Sequence, residues 1–245
     1  MASLPVRDPV GDHLLTPQNS ALVLIDYQPP QFSAVRSMDP ELLRENIVSV
    51  VETAKAFKLP IVHSTINVAT GRSESTVPEL AKLLENDPPI DRTSTNAWED
   101  AEFLAAVRAT GRRKLIMCAL WTEICMAFPA LDALREGYDV YPVVDAIGGT
   151  SEEAHRAGLE RVVQAGGSPV GWVALAVELQ RDWAREETVA DVIDIVLTER
   201  LQTACAQKRG GSPPPRRPTP HGSGSCCSRT SSRCSANAIG SVACR

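Results

Sequence analysis

The chain has 245 residues, 43% of them apolar, and a formal charge of −5. That length can bury a sizeable core, and that apolar share excludes a chain that is disordered on average. No stretch approaches the roughly 18 consecutive apolar residues that would span a bilayer. The first residues, MASLPVRDPVGDHLL, lack the charged-then-apolar pattern of a signal peptide, so a soluble cytoplasmic protein is expected.

In chain order, β-rich runs alternate with segments of helical spacing. ALVLID (21–26) reads as a strand, and ELLRENIVSVVETAKAF (41–57) as a helix with Leu42, Ile47, Val48, Val51 and Ala54 on one face. LPIVHST (59–65) is the second strand, and PPIDRTSTNAW contains only a short extended stretch. EDAEFLAAVRATG (99–111) is a helix closed by a C-terminal glycine. KLIMCAL (114–120) and DVYPVVD (139–145) are strands three and four. SEEAHRAGLERVVQAGG (151–167) is a further glycine-ended helix, and a fifth strand is expected near SPVGWV (168–173). Strands alternating with helices predict right-handed βαβ units. The fold class is therefore α/β, three-layer, with a mainly parallel sheet flanked by helices on both faces.

The domain is expected to run over 1–205, because composition changes after it. Residues 206–245 hold seven basic side chains and no acidic one, leaving 18 basic and 30 acidic groups in 1–205. GGSPPPRRPTPHGSGSCCSRTSSRCS has no apolar periodicity and is expected to be disordered. Its Arg, Pro, Ser and Cys bias resembles a GC-rich gene read in the wrong frame, which ranks above a functional basic tail. It lacks interleaved aromatics, so nucleic acid is not an expected partner. Of seven cysteines, only Cys118 and Cys125 lie in the periodic body, which fits a reducing compartment without a disulfide framework.

In open α/β sheets, ligands bind outside the carboxyl ends of the strands. Three chemistry-bearing residues fall there: Asp26 at the end of ALVLID, Arg92 in PPIDRTSTNAW, and Cys125 just after KLIMCAL. With Thr122 as N-cap, Cys125 is the third helical residue. The helix N-terminus would there lower its thiol pKa. Asp26 is the candidate base, and the backbone N–H groups of Trp121 and Cys125 are candidate oxyanion donors. A small buried core cysteine is the competing reading. Gln28, Asn96 and Trp98 flank these positions and are candidate substrate-binding residues. Cys118 alternates within a strand and reads as core. His155 lies on a charged helical segment and reads as solvent-facing, and His63 reads as a strand-end or pocket-wall residue. AIGGTSEE lacks the spacing of a phosphate-binding glycine loop and reads as a loop entering a capped helix.

Asp26 in LIDYQ, Arg92 with the following NAW, and ALWTEICMAFPAL together resemble the isochorismatase-like hydrolase superfamily, over about residues 15–200. They look most like its YcaC-related cysteine hydrolases. The resemblance implies a catalytic Asp, Lys and Cys. Asp26 and Cys125 match directly, and the Lys position falls on Arg92, as in YcaC-related members. It implies a cis peptide at Leu120–Trp121. The nicotinamidase branch binds zinc through Asp-x-His and further histidines. Here only His63 is available, so no metal and no cofactor are expected. True isochorismatases work without the cysteine, so the implied activity is cleavage of a C–N bond in a small amide through a thioester. A homo-oligomer is implied, with GWVALAVELQRDW (171–183) available to pack between subunits. The alternative is a catalytically idle oligomeric protein that keeps the fold.

Overall fold

The computed structural model describes residues 3–197; the expected domain end at 205 and the tail at 206–245 lie outside the described residues. Five strands form one parallel sheet: β1 (Ser20–Ile25), β2 (Ile61–Ile66), β3 (Ile90–Arg92), β4 (Lys114–Ala119) and β5 (Asp139–Pro142), in the order β3-β2-β1-β4-β5. The two central strands, SALVLI and KLIMCA, are buried at every residue. A parallel strand covered on both faces has no solvent side, so its sequence is a nearly unbroken apolar run.

The sheet corrects one expectation. The remaining strand is not SPVGWV but IDR, paired to β2 through Ser64–Ile90 and Ile66–Arg92. Residues 168–173 contribute only a single bridge, Val143–Val170. Ser168 and Val170 N–H donate to Val140 O and Pro142 O, but the pairing stops there, as Trp172 N–H turns away to Asp145 Oδ1 where the next helix starts.

The helices are α1 (Pro29–Ala34), α2 (Pro40–Ala56), α3 (Pro78–Leu83), α4 (Ala101–Ala109), α5 (Ala127–Arg135), α6 (Glu152–Gln164), α7 (Trp172–Gln180) and α8 (Glu186–Leu197). Asp39 caps α2 by accepting from Glu41 and Leu42 N–H, with Pro40 in the first turn. Its buried stripe is Leu43, Ile47, Val50, Val51 and Ala54; Leu42 and Val48, expected there, sit half-buried at the stripe's edges. Right-handed crossovers put α2 and α3 on one face of the sheet and α4 and α5 on the other. α7 and α8 pack with α2, and α6 packs on α5, completing three layers. Among the described residues no helix is long and apolar enough to cross a membrane.

Two features of this layout position a site. The chain leaves β1 toward β2 and leaves β4 toward β5, in opposite directions, so the carboxyl ends of β1 and β4 open a crevice between them. At the far end of the sheet, buried Lys114 ties down the N-terminal segment by donating to the carbonyls of Asp12, His13 and Leu14 at 2.8, 2.6 and 3.0 Å.

Candidate active site

Asp26 is the first residue beyond β1. Its φ of +62° is a left-handed conformation that Asp tolerates better than most residues. The backbone is held there by Asp26 N–H donating to Ser64 O and Gln28 N–H to Asp26 O. Arg92 ends β3, two strands away, and its long side chain crosses the end of β2. The guanidinium Nη2 donates to Asp26 Oδ2 at 2.6 Å, and both side chains are fully buried. Arg92 Nη1 donates to Ser94 O, which fixes the other end of the fork.

Cys125 comes from the β4 side of the crevice. After a cis Leu120–Trp121 peptide, residues Thr122–Met126 form one wide π turn, with Met126 N–H reaching back five residues to Trp121 O. Such turns recur at functional sites. Thr122 N–H donates to Gly148 O, and Trp121 Nε1 donates to Gln31 O, so the turn is anchored on two sides. The turn therefore begins at Thr122 with Trp121 as its cap, one residue earlier than the expected Thr122 cap.

The Cys125 thiol and the Asp26 carboxylate lie close enough for each to alter the other's ionisation. Burial pushes the thiol up to about 12, and the charge of Asp26 pushes the same way. Arg92 and the Trp121 N–H, which donates to the sulfur, pull less strongly in the opposite direction. This overturns the expectation of a lowered thiol pKa: 7% exposure outweighs the position near a helix start. Burial also raises the Asp26 carboxyl above its ordinary range, opposed chiefly by Arg92. A raised carboxylate is a stronger proton acceptor. Asp26 Oδ1 is buried and takes no hydrogen bond from Arg92, and the Cys125 thiol bears on the same carboxylate.

The other candidates are placed as follows. The buried amide of Gln28 donates to Ile66 O, Ser73 Oγ and Glu74 O and accepts from Ile66 N–H, which braces the loop after β2. Trp98 is packed edge-on against Phe103 and Tyr138, with Nε1 donating to Glu136. Asn96 caps the short turn Ala97–Glu99 and donates to Asp132, at the rim of a surface groove that Phe128 and Leu131 also line. His63 joins Asp87 O and Thr76 Oγ1, and burial lowers its pKa, so it is a neutral link between two loops.

His155 corrects another expectation. It is half-buried, and its Nδ1 lies 2.8 Å from Thr122 Oγ1 in the π turn itself. Beside it, Glu123 Oε1 accepts from Thr150 N–H and Oγ1 at 3.0 and 2.6 Å.

A parallel three-layer sheet with an acid, a guanidinium and a thiol meeting at its switch point defines the class: an α/β protein of the isochorismatase-like hydrolase kind. The comparisons with known proteins agree. The isochorismatase domain model matches residues 20–173. The probable hydrolase YcaC of Escherichia coli is 38% identical over 173 residues, covering 70% of this chain and 83% of that protein. Two solved structures match with a TM-score of 0.72: YcaC from Pseudomonas aeruginosa with hexane-2,5-diol and covalent acrylamide (31% identical; 81% of this chain, 98% of that one) and the Escherichia coli YcaC gene product, described as an octameric hydrolase of unknown specificity (33%; 82% and 98%). The chain belongs to the isochorismatase family.

Proposed function

We propose that this protein is a cysteine hydrolase that cleaves a C–N bond in a small amide through a thioester on Cys125. The observation that carries the reading is the buried Asp26 carboxylate beside the neutral Cys125 thiol, with Arg92 holding only its Oδ2. A thiol raised to about 12 is not a stored thiolate, so its proton has to leave as the sulfur attacks. Asp26 accepts that proton, and the sulfur bonds to the carbonyl carbon. Arg92 stays protonated and stabilises the pair. The Trp121 and Cys125 N–H groups receive the developing oxyanion, the Trp121 N–H turning from the sulfur to the new oxygen as the adduct forms. Asp26 returns the proton to the nitrogen, the C–N bond breaks, and an amine departs. Asp26 then takes a proton from water as the oxygen attacks the thioester. Collapse of that adduct releases the acid and regenerates the thiol.

The covalent acrylamide on the Pseudomonas aeruginosa relative shows a reactive nucleophile somewhere on that protein, which is compatible with this reading. A free thiol suits a reducing, cytoplasmic setting, and the octameric relative supports a homo-oligomer. The raised thiol also favours one competing reading, an idle oligomeric member of the family. A panel of small amides, assayed for ammonia or amine release with Cys125→Ala as control, decides between them. Turnover that vanishes in the variant is expected. Undiminished turnover by Cys125→Ala overturns the mechanism, and no turnover of any amide by either protein favours the idle reading.

A further inference from the structure

The π turn that carries Cys125 is seated on α6, and the contact is a built one. Gly158 meets the turn with no side chain between: a Cβ there would lie 2.6 Å from Glu123 Cα, 2.9 Å from Glu123 N and 3.1 Å from Thr122 C. His155, one turn earlier on the same face of α6, reaches Thr122 Oγ1 with Nδ1 at 2.8 Å. Thr122 is wholly buried, so this hydroxyl has no water to fall back on. Glu123 is gripped by Thr150, and Gly149 lies close against both Glu123 Oε2 and the His155 backbone, so the loop entering α6 closes the clamp. Ser151 caps α6 by accepting from Ala154 N–H, which fixes the first turn from which His155 projects.

We infer that His155 is a positioning residue for the reaction proposed above. Through Thr122 it holds the π turn so that the Cys125 sulfur stays on the Asp26 carboxylate. The inference rests on Cys125 being the nucleophile but adds a member that does not touch the reacting atoms. Its weight comes from leverage. Thr122 is three residues before Cys125 in the single turn, so a tilt of the turn at Thr122 moves the sulfur directly. A shift of about 1 Å in a reacting atom costs on the order of a hundredfold in rate. Neutral imidazole is the form the site favours, since burial lowers the His155 pKa against the smaller opposing pull of Glu123.

The test uses the full chain and acrylamide as the probe. The second-order rate of Cys125 alkylation is followed by mass spectrometry, with peptide mapping to separate it from the other six cysteines. In that reaction the sulfur bonds to the β-carbon, the C=C π bond breaks, and the thiol proton ends on the α-carbon. His155→Leu and Thr122→Val should each slow alkylation about tenfold, and the double variant should be no slower than either, because one shared contact is lost only once. His155→Asn, which keeps a polar atom near the Nδ1 position, should recover to within about threefold of the parent. Asp26→Asn serves as the reference for the underlying mechanism. If it slows alkylation while His155→Leu stays within about twofold of the parent, the positioning role is wrong and the nucleophile stands. Effects of His155→Leu and Thr122→Val that multiply to about a hundredfold would also overturn the shared contact. If Asp26→Asn changes nothing, the underlying reading fails instead.

Discussion

Gly158→Ala sets two effects of opposite sign against each other. On helix propensity alone, alanine inside α6 gains about 1 kcal/mol over glycine. The added Cβ, however, would sit 2.6 Å from Glu123 Cα, where ordinary contact begins at 3.4 Å. About 0.8 Å of separation has to be found, and the atom in the way is backbone with no rotamer to escape into. Overlap of this kind costs about 1–3 kcal/mol, so net destabilisation of about 0–2 kcal/mol is expected, a modest change. The effect on chemistry is larger, because the displaced backbone belongs to the turn that holds Cys125. A shift near 1 Å should slow Cys125 alkylation by about a hundredfold. Urea unfolding and acrylamide labelling of the same preparation give both values. A variant that is more stable than the parent and labels at the parent rate would show that α6 is not seated on the turn as described.

Removing Arg92 leaves Asp26 buried without its cation. Arg92→Met should lose about 3–5 kcal/mol, whereas Arg113→Met, which breaks the exposed pair with Asp139 at 3.7 Å, should lose under about 1 kcal/mol. Thermal melts of the two should differ by several degrees; similar melts would contradict the burial argument. Lys114→Met strands three backbone carbonyls of the N-terminal segment. It should cost about 2–3 kcal/mol and speed proteolysis before residue 16, while Cys125 labelling is unchanged because the lysine lies at the opposite end of the sheet. Labelling that falls with Lys114→Met would contradict that separation.

Much of the site was legible before the fold was seen, for a physical reason. Asp26 and Cys125 each follow a fully buried strand, and a polar or reactive residue just past such a run lies at the sheet's carboxyl edge. The family blocks around them then set their roles as expectations. Arg92 was placed, but its strand was not, since a three-residue edge strand of sequence IDR carries no apolar alternation. His155 was misplaced because its neighbours Glu152, Glu153 and Arg156 are charged and imply an exposed helix. What buries it is Gly158 lying against Glu123, a contact between segments 35 residues apart that no local pattern records. The thiol's ionisation failed for a similar reason. Position near a helix start can be read from sequence, while desolvation by the surrounding core cannot.

The most direct measurement is the pH dependence of Cys125 alkylation by acrylamide in the parent and in Asp26→Asn. With the thiol near 12, the free thiolate fraction at pH 7 is on the order of 10⁻⁵, and unaided alkylation should rise about tenfold per pH unit. With Asp26 as base, the rate should instead be high and nearly flat through neutrality. It should fall as pH drops through the raised Asp26 pKa, because protonation there removes the acceptor. The account expects a flat profile with an acid limb above the ordinary aspartate range in the parent, and a steep rising line in Asp26→Asn. Superimposable profiles from the two proteins would contradict it.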